Sequence, residues 1–414
     1  MRVRWQPVLA GVVTALVGFA GAFPVVLAGL RAAGADGRQA ASGLLALCLA
    51  VGLVAVVLGW RHRMPISIAW STPGAALLIA AGPPPGGFPA AVGAFLLCGV
   101  LVAVSGLVAP LGRAIAAIPP PLAGAMLAGV LLELCLAPVR ALVDVPWLAA
   151  PVIVVWALVG RFARPWAVPA ALAVAVALIA ATGPGLGGLD LAPVPVWTTP
   201  VLDPPTLVSV GLPLFLVTMA AQNVPGMAVL AQFGYRPPLR PILVGTGLAT
   251  VVAAPFGGHA VNLAAISAAL AAGPDAGPAH RRWIASTTAG IGTAVLGLGA
   301  GLATAVLLLS PPVLVAAVAG LALLGALVAA IGSAVADPDR REAAAVTFVV
   351  TAAGVGFVGI GSAFWGLLAG AAMTLLHRRH RRGLPDGEET VPRSRREHGV
   401  SESASGPSRP QNSP

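Results

Sequence analysis

Charge is what this chain has least of: only 9% of its 414 residues are charged, against about 25% in a soluble domain. That scarcity excludes a soluble globular protein. With 58% hydrophobic residues and a mean hydropathy of +0.93, the composition is that of an integral membrane protein. Lysine is absent, so all 24 basic residues are arginine. Cysteine is nearly absent. Cys48, Cys98 and Cys135 lie in apolar segments without CxxC or metal-like spacing, and read as small buried hydrophobes. No cluster of His, Asp and Glu falls within the apolar spans, which argues against an enzyme. No GxxxxGK[ST] occurs, so ATP drive within the chain is not expected. Neither a metal nor a cofactor is expected.

The net charge of +10 at first suggests nucleic acid. The arginines instead lie mostly at the ends of apolar spans, the topology signal of a membrane protein, so the partner is the lipid bilayer and not nucleic acid. Glycine (51) and proline (39) are plentiful. They would break soluble helices, but in a membrane bundle they allow close packing and interrupted helices. The start resembles a signal peptide, with Arg2 and Arg4 before an apolar run and Ala20-Gly21-Ala22 as a cleavage-like site. The run from Pro7 to Leu30 exceeds the usual ~7–15 residues of a signal core, so it reads as a retained first helix.

Apolar segments fall near 7–30, 40–60, 66–82, 88–110, 120–137, 146–160, 165–182, 205–232, 238–254, 258–272, 283–309, 312–335, 342–357 and 361–377, about fourteen in all. With the N-terminus in the cytoplasm, inside loops hold Arg2, Arg4, Arg61, Arg63, Arg113, Arg161, Arg164, Arg236, Arg240, Arg281, Arg282, Arg340, Arg341 and the 378–382 cluster. Outside loops hold only Arg31, Arg38 and Arg140. Both termini are therefore expected inside. The polar stretch 183–204 is an extracytoplasmic linker between residues 1–182 and 205–377, and 378–414 reads as a disordered cytoplasmic tail. Seven segments on each side of the linker imply two halves inserted with opposite topology, an inverted repeat. "AFPVVLAGLRAAG" (22–34) and "NVPGMAVLAQFG" (223–234) are a faint echo between the halves.

The third segment carries a helix start in mid-span. "PISIAWS" (65–71) alternates and contains β-branched residues, so it reads as extended. Five or six such residues cover ~16–20 Å, about half of a ~30 Å hydrocarbon core. Ser71-Thr72-Pro73 then opens a half-helix to Gly82 covering ~16 Å more. In the tenth segment, "APFGGHAVNLAAISAAL" (254–270) predicts an inverted counterpart whose helix start falls at the Pro-Phe-Gly-Gly-His run. Two facing helix N-termini would favour a small anion.

These residues resemble a known family. "MPISIAWSTPGAALL" (64–78), "TMAAQNVPGMAVL" (218–230), "APFGGHAVNLAAISAAL" and "GIGSAFWGLLAG" (359–370) look like the benzoate/proton symporter (BenE) family of bacterial inner-membrane carriers, in family order and over about 7–377. More distantly the layout is similar to the nucleobase permeases and anion transporters built as seven-plus-seven inverted repeats. The resemblance implies an all-α polytopic membrane fold with short strands and half-helices in segments 3 and 10. It also implies a core domain and a gate domain interleaved in sequence. The implied activity is import of benzoate, or a similar aromatic carboxylate, with a proton by alternating access. A carrier of another small anion or of a nucleobase, and an anion channel, are the alternatives. Proteins of this fold often pair, which suggests a homodimer by analogy.

Carried over position by position, the resemblance puts Ser71, Thr72, Gly74 and Ala75 at the substrate on the third segment. It adds Gln222 and Asn223 on the eighth, and Gly257, Gly258, His259 and Asn262 on the tenth. Phe23 is an aromatic candidate for packing on the substrate ring. The permeases carry acidic residues where Gln222 and Asn262 stand here, and neutral side chains suit an anionic substrate. That leaves His259 and Glu133 as proton-coupling candidates, the latter as an ionisable residue inside the fifth segment.

Overall fold

The fold is organised by two short strands in mid-span, each followed after one residue by a half-helix. The computed structural model describes residues 2–108, 119–182, 192–357 and 361–382. Arg113, residues 183–191 of the linker and the tail beyond Arg382 lie outside the described residues. Met1–Thr374 form one compact unit, to which everything below refers; Leu375–Pro414 form a second.

In chain order the first half comprises α1 (Arg2–Ala32), α2 (Gly37–His62), β1 (Ile68–Trp70), α3 (Thr72–Ala81), α4 (Gly87–Leu107), α5 (Pro120–Asp144), α6 (Pro146–Phe162) and α7 (Ala167–Thr182). The second comprises α8 (Pro204–Gln232), α9 (Leu239–Ala253), β2 (Val261–Leu263), α10 (Ala265–Ala272), α11 (Trp283–Gly297), α12 (Ala300–Leu309), α13 (Pro312–Val335), α14 (Arg341–Ala352) and α15 (Ser362–Arg382). Each apolar segment of the sequence contains helix. By length and composition, eight described helices can cross a membrane, or nine if the pair bent by 59° at residues 298–299 is one span. The expected fourteen therefore include shorter pieces such as Thr72–Ala81, Pro146–Phe162 and Ser362–Leu376.

Packing follows the repeat. Shifting each segment by seven maps the pair α2–α11 onto α9–α4, and both pairs pack along their lengths. It maps the packed pair α5–α13 onto itself, and likewise the strand pair β1–β2. Glycine makes the first two contacts close. A Cβ at Gly52 would lie 2.8 Å from the Gly290 carbonyl oxygen between α2 and α11. One at Gly247 would lie 2.7 Å from the Gly99 carbonyl oxygen between α9 and α4. Small residues are what allow helix backbones to approach this closely in a bilayer.

The strands run antiparallel, with Ile68 opposite Leu263, Ala69 opposite Asn262 and Trp70 opposite Val261. One backbone hydrogen bond closes each end: Ser71 N–H donates to the Ala260 carbonyl and Ala264 N–H to the Ser67 carbonyl, both at 2.9 Å. Non-helical backbone at this depth is tolerated because it is buried in protein with its groups paired.

The second half-helix begins at Ala265, six residues after His259, and not at the glycine pair. Gly257, at φ +92°, turns the chain out of α9, and the residues after Gly258 join the strand pair before helix resumes. Proline and glycine marked the turn into the strand rather than the helix start.

Candidate functional site

Polar side chains around the two strands divide into those consumed by the framework and those left free. Ser71 is fully buried and caps α3: its Oγ accepts from Gly74 N–H at 3.1 Å and from the Thr218 hydroxyl at 3.1 Å. Asn223 accepts from Leu263 N–H at 2.9 Å, and Thr250 accepts from Val261 N–H at 2.9 Å. Asn262, assigned the amide orientation that pairs both of its atoms, donates to the Leu263 carbonyl at 2.9 Å and accepts at 3.0 Å from the Ser71 N–H, which it shares with the Ala260 carbonyl. These groups satisfy strand and helix ends that would otherwise be buried and unpaired.

α8 brings its polar pair to this point by widening. Two π-helical turns, Leu207–Gly211 and Met219–Asn223, each precede a proline by two residues, Pro213 and Pro225. Proline has no N–H for the helical ladder, and the wider turn before it absorbs the mismatch. The second widening sets Asn223 against β2 while Gln222 lines an open cavity.

That cavity, of about 280 Å³, lies between both strand–helix junctions, α1, α11, α13 and the α6–α7 turn. It is lined by Ser67, Thr72, Gln222, Ala264, Ala265, Ile266 and Ser267 among others, with Phe19 and Trp70 on its wall. Phe19 meets the Trp70 ring edge-on at 5.9 Å and stacks on Phe23 at 5.1 Å. A neighbouring cavity of about 400 Å³ shares Pro73, Gln222, Ala265 and Ile266.

Several donors here have no partner among the described residues. Ser67 Oγ is buried and unpaired. Thr72, Gln222 and Ser267 make no side-chain hydrogen bond, while the other hydroxyls on the wall, those of Thr14, Ser286 and Thr293, bond carbonyls of their own helices. The cap of α10 is Ala264, which has no side chain to offer. The N–H groups of Ala265, Ile266 and Ser267 are consequently unpaired, and all three residues line the cavity. Unpaired N–H groups at a helix N-terminus, with the positive end of its dipole, make an anion seat.

The expected site residues separate accordingly. Thr72 and Gln222 line the cavity; Ser71, Asn223 and Asn262 stand behind it in the framework. Gly74 and Ala75 pack away from it: a Cβ on Gly74 would meet Leu214 Cδ1 at 2.5 Å, and the Ala75 carbonyl sits against Gly29. Gly257 and Gly258 form the turn from α9. His259 is fully buried, edge-on to Phe95 with centroids 6.3 Å apart; its Nδ1 accepts from Ala260 N–H, and its Nε2 is unpaired. Phe23 backs the aromatic wall through Phe19. Glu133 is exposed and ion-paired with Arg140 on α5, and it does not line the cavity. Sequence reasoning missed Ser67 and residues 264–267. Ser67 was legible only as one position of an extended run, and the α10 start lacks any cap signal.

A family model described as "Benzoate membrane transport protein" (BenE) matches residues 2–376. The chain belongs to the BenE family. Escherichia coli (strain K12) "Inner membrane protein YdcO" is 38% identical over 365 residues, covering 87% of this chain and 93% of that protein. The Acinetobacter baylyi "Benzoate membrane transport protein" is 30% identical over 369 residues, covering 87% and 92%. Among solved structures, the transmembrane domain of the cyanobacterial bicarbonate transporter BicA superposes with TM-score 0.54 at 17% identity, covering 91% of this chain and 97% of that one. SLC26A9 superposes with TM-score 0.61 at 14% identity, covering 90% and 65%. At such identities these likenesses establish the fold, that of inverted-repeat membrane transporters.

Proposed function

We propose that this BenE protein imports benzoate, or a closely similar aromatic carboxylate, with a proton across the bacterial inner membrane. The observation that carries this reading is the uncapped α10 N-terminus, opening into a cavity that also holds free hydroxyls and an aromatic wall. The carboxylate seats on the N–H groups of Ala265, Ile266 and Ser267 with Thr72, Ser67 and Gln222 around it. The ring packs along Phe19 and Trp70. Family membership and the relative named for benzoate support the substrate.

In this reading α1–α4 and α8–α12 form the moving core and α5–α7 with α13–α15 the gate, with the cavity between them. Movement of the core against the gate alternates access. Exposed Arg164 lines the cavity, and the arginine bias puts it on the cytoplasmic side, which supports reading this conformation as inward-facing. Uptake of labelled benzoate into proteoliposomes under an imposed pH gradient tests this directly. Accumulation above empty vesicles is expected. Accumulation of another anion instead, without benzoate, would sink the substrate assignment.

Of the two proton candidates, His259 is the one we assign to coupling. It is a buried titratable side chain with a free Nε2, on the backbone whose next carbonyl anchors Ser71. His259→Gln is expected to keep benzoate exchange between equal pools while losing accumulation driven by the pH gradient. Undiminished gradient-driven accumulation in this variant would remove His259 from the coupling role.

A further inference from the structure

The cavity wall carries a single charge among the described residues, and it belongs to neither half-helix. Arg164 lies in the short turn Arg164–Trp166 between α6 and α7, a turn closed by Trp166 N–H on the Ala163 carbonyl at 2.9 Å. Its side chain is exposed, lines the cavity and has no ion-pair or hydrogen-bond partner among the described residues. Three residues earlier, Arg161 lies over the Phe162 ring at 5.8 Å and does not line the cavity. The end of α6 thus carries an arginine over a ring, and the turn that follows carries one on the cavity.

We infer that Arg164 is a carboxylate-capture residue: a second, transient seat on the exposed part of the cavity wall, occupied as the substrate enters or leaves the α10 seat. This inference rests on the carboxylate reading above. A lone cation on a cavity with apolar walls attracts anions, because the walls focus its field. The guanidinium fork matches a carboxylate in shape as well as charge. Because Arg164 belongs to the α6–α7 turn and the primary seat to α10, the two seats are on separate elements. Capture by Arg164 therefore does not require the substrate to lose its hold on α10 in a single step. An exposed partner also holds weakly and is screened by salt, which suits a station that must release.

The test is binding of labelled benzoate, and of neutral benzamide, to the purified full-length protein by equilibrium dialysis. At ~0.01 M ionic strength, where the Debye length is ~30 Å, R164Q is expected to weaken benzoate binding roughly three- to fivefold. The loss should shrink towards nothing at ~1 M, where the Debye length is ~3 Å. R164K should retain most of the affinity, R161Q all of it, and benzamide binding should not respond to either charge removal. A merely structural arginine would move benzoate and benzamide together, without salt dependence. Unchanged benzoate binding by R164Q at low salt, or an equal loss in R161Q, overturns the inference. Wild-type protein that binds no benzoate at any salt fails the functional reading itself.

Discussion

The two strand–helix junctions are built alike and finished differently. In each, a three-residue strand is followed by one extended residue and then a helix: Ile68–Trp70, Ser71, α3; and Val261–Leu263, Ala264, α10. In each, the residue before the helix donates its N–H to the facing strand segment. The difference is one side chain. Ser71 spends the α3 N-terminus internally, by taking the Gly74 N–H, and Pro73 removes another donor, so only the Thr72 N–H remains open. Ala264 leaves three N–H groups of α10 unpaired. Two helix starts related by the repeat are thus not equivalent: the N-terminus of α3 is largely closed by its cap, and that of α10 is open.

Removing a donor from the open seat should give the largest effect. Ala265→Pro places proline at the first helical position, where its fixed φ suits the helix. Ala264 before it is already extended, at φ −107° and ψ 119°, as a residue preceding proline must be. The helix should survive with one N–H fewer. A hydrogen bond to a charged group contributes ~1.5–3 kcal/mol, so the KM for benzoate uptake should rise by roughly tenfold or more. An unchanged KM in a variant that unfolds at the wild-type temperature would place the carboxylate elsewhere.

Ala264→Ser makes the open junction imitate the sealed one. The new hydroxyl would compete with substrate for the Ser267 N–H, as Ser71 takes that of Gly74. Two changes of opposite sense are expected: stability rises by ~0.5–2 kcal/mol, the value of an N-cap, while KM rises roughly threefold. Measuring thermal unfolding and uptake on the same preparation separates them. If the variant is stabilised and transports with the wild-type KM, the N–H groups of α10 are not the seat.

Local chemistry made one junction legible in the sequence and hid the other. Ser71-Thr72-Pro73 announces α3 through a cap and a proline, and the length of 65–82 fixes a mid-span start from arithmetic on rise per residue. The tenth segment has no such announcement, because an alanine cap leaves no trace. Its Pro255, Gly257 and Gly258 drew the expected start towards His259, whereas Val261–Leu263 are extended by pairing with residues nearly two hundred positions earlier. Pairing at that separation is invisible to any local window. The absence of a cap, which is what frees the N–H groups, is also what concealed them. Ser71 and Asn262 stand out in the sequence as polar residues in apolar runs, and in the structure their hydrogen bonds go to the framework. Glu133 stood out as a carboxylate in an apolar run, and its partner Arg140 lies seven residues on, along the same helix.

The smallest effect on transport belongs to Ser71→Ala, although Ser71 is the residue the sequence advertises most. The substitution uncaps α3 and deprives the buried Thr218 hydroxyl of its acceptor. Together these losses should cost ~1–2 kcal/mol of stability, seen as an earlier unfolding transition. The Gly74 N–H set free does not become a second seat, because Gly74 is buried against Leu214 and does not line the cavity. KM for benzoate should therefore change by less than about twofold, the remaining change coming from a looser Thr72. The reverse pattern, an unaltered unfolding transition with a KM raised beyond that of Ala265→Pro, would exchange the roles of the two junctions and make α3 the half-helix that holds the carboxylate.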